Sequence, residues 1–395
     1  MYNRPMEDRV FEKLNSQAHT RVETKRFVLY TGFACNLRCQ FCYYLKSLED
    51  GTAENFSAAS LKRKIYIAHL FGKTAIDFTG GEATLHPQFK ELVSYAKGLG
   101  FKVINVITNG WKLADLKFFQ GLRDAGLNEV LFSLHSHLEE LHDELTKIAG
   151  SQRKILKAIS NAHELNVRVR LNSVVTGKNA HEVSNFLEYA KTLKPHSVNL
   201  IVFNPTEETV GYKNHDSIRI STYEEIGRLI SQALDQYKTF FPVVNVRFLS
   251  FCYLRGHEDV IRTYWQEIYE AEEWDPILHW AFRKNWLFAL AATIVGILIF
   301  PFKQAHLFFG KKGFYVRLCE HFQNFRILYL YRRPAKCATC SLKLICPGLP
   351  KDFYKTNPNA QVFPYSANEY PLVKNPVLFG HKYPNKFPAT AHDLK

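Results

Sequence analysis

The sequence lacks the marks of several protein classes. Its first fifteen residues, MYNRPMEDRVFEKLN, contain no apolar core, so they do not form a secretory signal peptide. No uncharged apolar run exceeds the seventeen residues of 286–302, which excludes a multi-span membrane protein. Acidic residues are short of basic ones, 37 against 51, a formal net charge of +14. That balance suits phosphates, nucleic acid or an acidic membrane surface without choosing among them. No recognisable nucleic-acid reader motif accompanies it. Hydrophobic residues at 46% and charged residues at 22% are ordinary for a folded chain and exclude wholesale disorder. At 395 residues the chain has length for two or three domains.

What the sequence does have is eight cysteines, at 35, 39, 42, 252, 319, 337, 340 and 346. Disulfide frameworks belong to short secreted chains. A long chain without a leader is expected in the reducing cytosol, where clustered thiols bind metal rather than each other.

From residue 26 to about 205, short apolar runs alternate with helical stretches. Strands are expected at 26–32, 75–79, 102–107, 129–134, 167–175 and 197–203. Helices are expected at 56–71, 87–99, 112–125, 151–165, 179–192 and 222–237. This is an α/β pattern of parallel strands covered by helices, either an open doubly wound sheet or a partial barrel. In both, chemistry sits at the C-terminal ends of the strands. The alternation stops after about 245. Residues 246–355 carry the other five cysteines and the apolar run, and 356–395 hold six of the sixteen prolines. That tail reads as extended and irregular, over the surface.

The first cysteine group leaves strand one: Cys35-Asn36-Leu37-Arg38-Cys39-Gln40-Phe41-Cys42, spaced C-x3-C-x2-C. Three closely spaced thiolates suit an iron–sulfur cluster. A four-iron cubane would keep one iron open for a substrate or cofactor. Zinc is the rival, but no histidine stands at zinc-finger spacing. Strand two ends in Thr79-Gly80-Gly81-Glu82, strand three in Thr108-Asn109-Gly110 and strand four in Ser133-Leu134-His135; strand five contains Asn172. Alone, each is ordinary turn chemistry.

Together, in order at successive strand ends, these motifs resemble the radical S-adenosylmethionine (radical SAM) superfamily. The resemblance covers roughly 25–240, and the aromatic Phe41 before the third cysteine belongs to it. It implies a partial (β/α)6 barrel over 26–245, after an N-terminal extension of residues 1–25. It also implies a 4Fe-4S cluster on Cys35, Cys39 and Cys42, with S-adenosylmethionine on its open iron. Gly80, Gly81 and Glu82 are then expected to receive the methionine ammonium group. Asn109, Ser133 and Asn172 are expected to contact the rest of the cofactor. The implied chemistry is one-electron cleavage of the sulfonium to a 5′-deoxyadenosyl radical, which abstracts hydrogen from a substrate. An electron donor such as flavodoxin or ferredoxin follows as a partner.

The second group reads Cys337-Ala-Thr-Cys340-Ser-Leu-Lys-Leu-Ile-Cys346-Pro-Gly, spaced C-x2-C-x5-C. It partly resembles the SPASM and Twitch auxiliary-cluster domains; Pro350 stands where the fuller form has another cysteine. The resemblance implies a smaller cysteine-rich domain at 246–355 holding one auxiliary 4Fe-4S cluster in electron transfer. Cys252 is expected as the fourth ligand, Cys319 is its rival, and a zinc site is the alternative for the whole group.

The run 286–302 (WLFALAATIVGILIFPF) is at the lower limit for a spanning helix. If Cys252 and Cys337 share a cluster, one span between them would put them in different compartments. The following 303–336 has eight basic residues and one acidic, so it is no second span. The run is therefore re-entrant, interfacial or buried, and peripheral attachment to the anionic cytoplasmic membrane face is one expectation. On that reading the substrate is a lipid or lipid-linked intermediate. A ribosomally made peptide or another small molecule is the alternative, and a non-catalytic iron–sulfur protein is the alternative of another class. His135, His137 and His142 form a loose group that could act as acid, base or ligand, or simply line a pocket. His86, before Pro87, reads as turn chemistry.

Overall fold

The computed structural model describes residues 22–23, 25–42, 44–203, 218–262, 267–268, 287, 331–357 and 359–373. The apolar run apart from Leu287, Cys319 and the end of the tail lie outside the described residues. Among the described residues no helix is long and apolar enough to cross a membrane.

One sheet organises the chain. Its strands are β1 (Arg26–Tyr30), β2 (Ala75–Thr79), β3 (Val103–Thr108), β4 (Glu129–Ser133), β5 (Arg168–Val175), β6 (Ser197–Val202), β7 (Val243–Arg247) and β8 (Ile261–Arg262). All neighbours are parallel, and their spatial order is their chain order. This decides between the two architectures left open by the sequence. A doubly wound sheet needs a reversal of strand order, so that right-handed crossovers reach both faces. Without a reversal every crossover falls on one face, and the sheet curls into a half-barrel with helices outside. Two strands add to the six expected, so the sheet continues past residue 245.

The helices outside are α1 (Ala58–Leu70), α2 (Phe89–Gly98), α3 (Leu116–Ala125), α4 (Glu139–Thr146), α5 (Ser151–Glu164), α6 (Val183–Thr192) and α7 (Tyr223–Tyr237). Each long one buries a stripe; in α1 it is Ala58, Leu61, Ile65 and Ala68. Side-chain caps start three of them: Ser57 for α1, Asp115 for α3 and Thr222 for α7. Against this layer the strands present Ile76, Phe78, Ile104, Val106, Val130, Phe132, Val198 and Leu200, all at most 1% exposed.

The other face of the sheet is polar. Glu129 accepts from Arg26 (3.1 Å), Arg168 (3.3 Å) and Arg170 (2.9 Å). Arg26 also pairs with Asp77 at 2.5 Å, and Asn105 donates to Asp77 at 2.9 Å. Arg170 donates to Ser197 at 3.1 Å. One ionic layer therefore ties β1 through β6 across the inside of the curl.

The C-terminal part packs onto the end of this half-barrel. A two-stranded antiparallel pair, Tyr331–Arg332 with Leu349–Pro350, leads into α8 (Lys351–Thr356). The segment 359–373 has no helix or strand, as its composition suggested. It is nonetheless anchored, with Val362, Tyr365 and Val373 buried in the continuous core.

Candidate functional site

The first cysteine group sits on the loop leaving β1, and the next strand end clamps that loop. Gly81 N donates to Gly32 O (2.9 Å) and Glu82 N to Ala34 O (2.8 Å). A β-carbon on Gly81 would fall 2.3 Å from Ala34 O and 2.4 Å from Phe33 O. Both are backbone atoms, so only glycine allows this approach. Gly81→Ala is expected to push the cysteine loop off its seat and cost about 1–3 kcal/mol. A lower thermal midpoint, together with poorer iron retention after reconstitution, checks it.

Glu82 ties two strand ends together. It is 2% exposed. Its Oε1 accepts from Thr84 N (3.2 Å), Thr84 Oγ1 (2.6 Å) and Thr108 Oγ1 (2.7 Å), and its Oε2 accepts from Asn109 N (2.8 Å). Those four donors bolt the end of β2 to the end of β3, three of them on Oε1 and one on Oε2. Burial raises its pKa, against the pull of these hydrogen bonds. Asn109, fixed by that bolt, donates to Asn36 Oδ1 at 2.9 Å, between the first two cysteines. Its Nδ2 also lies 4.0 Å from Cys35 Sγ. Asn36 was not singled out in the sequence; its only signal was its place inside the motif.

The far side of the loop rests on α4. Arg38 N donates to Thr146 O and Gln40 N to Leu145 O. The Phe41 ring meets His135 edge-on, with centroids 4.7 Å apart. His135 Nδ1 accepts from Val174 N, and His142 Nδ1 accepts from His135 N, each at 3.2 Å. A backbone N–H can only donate, so both rings carry their proton on Nε2 and are neutral. Burial pulls His135 well below its usual range and His142 down to about 4. The pair is a packed brace behind the cysteine loop. His137 stands apart, 3.7 Å from Glu182, and His86 holds a turn through Phe56 O and Gln88 N.

Ser133 and Asn172 are register partners on β4 and β5, and Asn172, Asn199 and Asn245 continue the row across β5, β6 and β7. By the two-residue repeat they share the face of Glu129, Arg170 and Ser197, the inside of the curl. Asn245 Nδ2 donates to Asn199 Oδ1 at 2.8 Å. The Ser133 and Asn172 side chains make no hydrogen bond to another described residue, which suits groups that meet a ligand.

The second group assembles from two distant segments. Cys252, Cys337, Cys340 and Cys346 line one cavity, with Ser250, Arg333, Lys343 and Tyr365 also in its wall. Burial, with Cys346 beside it, pushes the Cys252 thiol up to about 12, and burial pushes Cys337 to about 11. In the first group burial, helped by Glu82, pushes Cys35 up to about 12, and burial takes Cys42 to about 11 and Cys39 upward as well. Buried thiolates are unfavourable unless a cation neutralises them, and iron is such a cation. Among the described residues no three His, Cys, Asp or Glu side chains gather on one point, as a single ion would require. Both groups are all-thiol donor sets, the kind that suits an iron–sulfur cluster, and the second lines one cavity.

The family model of the radical SAM superfamily matches residues 29–190. A probable GTP 3′,8-cyclase of Saccharolobus solfataricus is 30% identical over 211 residues, covering 53% of this chain and 67% of the relative. A probable GTP 3′,8-cyclase of Saccharolobus islandicus is 32% identical over 187 residues, 47% of this chain. The chain spans 59% of the length of that relative. Among solved structures, Streptococcus suis SuiB bound to S-adenosylmethionine matches with TM-score 0.47 at 18% identity, over 60% of this chain and 52% of that one. The chain belongs to the radical SAM superfamily and is an enzyme of that class. The superfamily's cofactors are a 4Fe-4S cluster and S-adenosylmethionine.

Proposed function

We propose that the chain is a two-cluster radical SAM enzyme acting on a polar substrate held inside the half-barrel. The observation that carries this is the convergence of Cys252, from the end of the sheet, with Cys337, Cys340 and Cys346 around one cavity. Cys35, Cys39 and Cys42 would hold the first cluster, and these four the second. When bound, the first cluster and S-adenosylmethionine supply one-electron cleavage of the sulfonium and, with it, hydrogen abstraction from an unactivated C–H bond.

The chain's own groups do the rest. The Gly80-Gly81-Glu82 clamp and the Phe41–His135 brace fix the cysteine loop from two sides. Ser133 and Asn172 offer hydrogen bonds to the cofactor from inside the curl, and Asn199 and Asn245 extend that lining. Four thiol ligands at the second site leave no iron open, which favours electron transfer there over substrate ligation. The polar lining favours a hydrogen-bonding substrate over the lipid or lipid-linked intermediate considered from the sequence. A peptide is one such substrate. A guanine nucleotide is the second reading, supported by what the Saccharolobus relatives are named for.

Anaerobic reconstitution is expected to give about eight irons per chain and, with dithionite and S-adenosylmethionine, 5′-deoxyadenosine. Cys252→Ala is expected to lower the iron to about four and leave that cleavage in place. Wild type with about four irons, unchanged in the variant, would refute the second cluster. Incubation with GTP and mass analysis of the nucleotide separates the two substrate readings.

A further inference from the structure

The second cysteine group lies under a strongly one-signed surface. From Tyr331 to Pro350 the chain carries Arg332, Arg333, Lys336 and Lys343 and no acidic residue. Arg332, Arg333, Ala335, Lys336, Ala338 and Thr339 are exposed, and Cys337 among them is half-buried. Arg333 donates to Cys346 O (2.8 and 3.1 Å) and Lys343 to Ala338 O (2.7 Å), so two of the cations also hold the loop's shape. Arg332 lies over the Tyr354 ring at 5.2 Å. Among the described residues none of the four pairs with a carboxylate. The first group differs: α4 and the Gly-Gly-Glu clamp cover its loop, whose only cation, Arg38, is turned onto Cys35 O and Leu37 O.

Resting on the two-cluster reading, we infer that the 332–343 loop is the docking surface for a small acidic one-electron carrier protein, which exchanges electrons with the second site through the Cys337 edge. Uncompensated charge around a redox group steers an oppositely charged partner and sets its approach. The exposed part of the loop offers no large apolar side chain for insertion, which argues against a lipid surface as its partner. The exchange makes and breaks no bond. One electron leaves the reduced carrier and the second cluster gains it, or the reverse, with no proton required.

The test uses the reconstituted full chain and a reduced acidic flavodoxin as probe. Freeze-quench spin resonance follows reduction of the signal that S-adenosylmethionine does not perturb. Arg332→Glu with Lys336→Glu is expected to slow that reduction about tenfold at low salt. The gap should close at about 1 M salt, where the screening length is near 3 Å. Iron content and reduction by dithionite should stay as in wild type, which shows that the variant is folded and loaded. Equal rates in both chains, or reduction of the first cluster alone, would overturn the docking surface. So would binding of the loop to anionic vesicles without any effect on the rate. A wild type holding only about four irons would instead remove the two-cluster reading beneath it, an outcome read before any carrier is added.

Discussion

A chain with Cys35, Cys39 and Cys42 all changed to alanine is expected to make no 5′-deoxyadenosine and to bind about four irons fewer than wild type. The loss should be complete, because the three thiols are the donor set of the first site and the nearby carboxylate, Glu82, is already held by Thr84, Thr108 and Asn109. The fold should survive. Burial holds the three thiols protonated when no metal is bound, so the polypeptide does not depend on their charge. The loop keeps its seat through backbone bonds to Gly81, Glu82 and α4, none of which the substitutions touch. Iron analysis, circular dichroism and product chromatography on the same preparation check all three statements. Residual 5′-deoxyadenosine would move the reductive cleavage away from this loop.

Glu129→Gln is expected to cost about 3 kcal/mol at neutral pH, the largest effect on stability foreseen for a single residue away from the clusters. Burial pushes the Glu129 carboxyl up, but the Arg170 and Arg26 charges outweigh it and bring it from the usual 4.5 down to about 2. A pKa lowered in the folded state contributes stability above the unfolded value. Here that contribution is present above about 4.5 and is lost as the pH falls through about 2. The difference between the two chains in urea unfolding should therefore be full at pH 7, shrink below pH 4.5 and vanish near pH 2. The amide takes the Glu129 charge away from Arg26 and Arg170, both largely buried, and from the exposed Arg168. Breaking a buried pair from one side costs about 3–5 kcal/mol in general, which agrees. A flat difference across that pH range would show that the ionic layer contributes shape rather than charge.

The outside of the half-barrel was legible in the sequence; the inside was not. Apolar runs and helical periodicity placed six strands and six helices to within a few residues, because both report burial against one helical layer. Strand β7 was missed as a strand of the sheet because VVNVR sits next to the loss of alternation, and β8 because two residues carry no period. The inner face had a signal that the eye for apolar runs passed over. Arg26, Asp77, Asn105, Glu129, Arg170, Ser197, Asn199 and Asn245 are polar residues set among the apolar ones of seven strands. Their common phase emerges only once the strand register is known. Cys252 was placed with the last three cysteines from its position after the sheet, and the cavity brings it there. That Glu82 also ties β2 to β3 was not legible, since nothing in Gly-Gly-Glu reveals that Thr84, Thr108 and Asn109 would turn their donors onto it.

The unbroken strand order has a consequence for synthesis. Each strand of the sheet pairs with the one made just before it, so a chain leaving the ribosome can add them one at a time, without waiting for a distant partner. The bed of the first cysteine loop is complete once Thr146 and Val174 have emerged, with Cys252, Cys337, Cys340 and Cys346 still to follow. The second cavity cannot exist until Cys346 and Tyr365 arrive. Cofactor loading therefore has a built-in chronology: the first cysteine loop is ready for iron well before the second cavity can be.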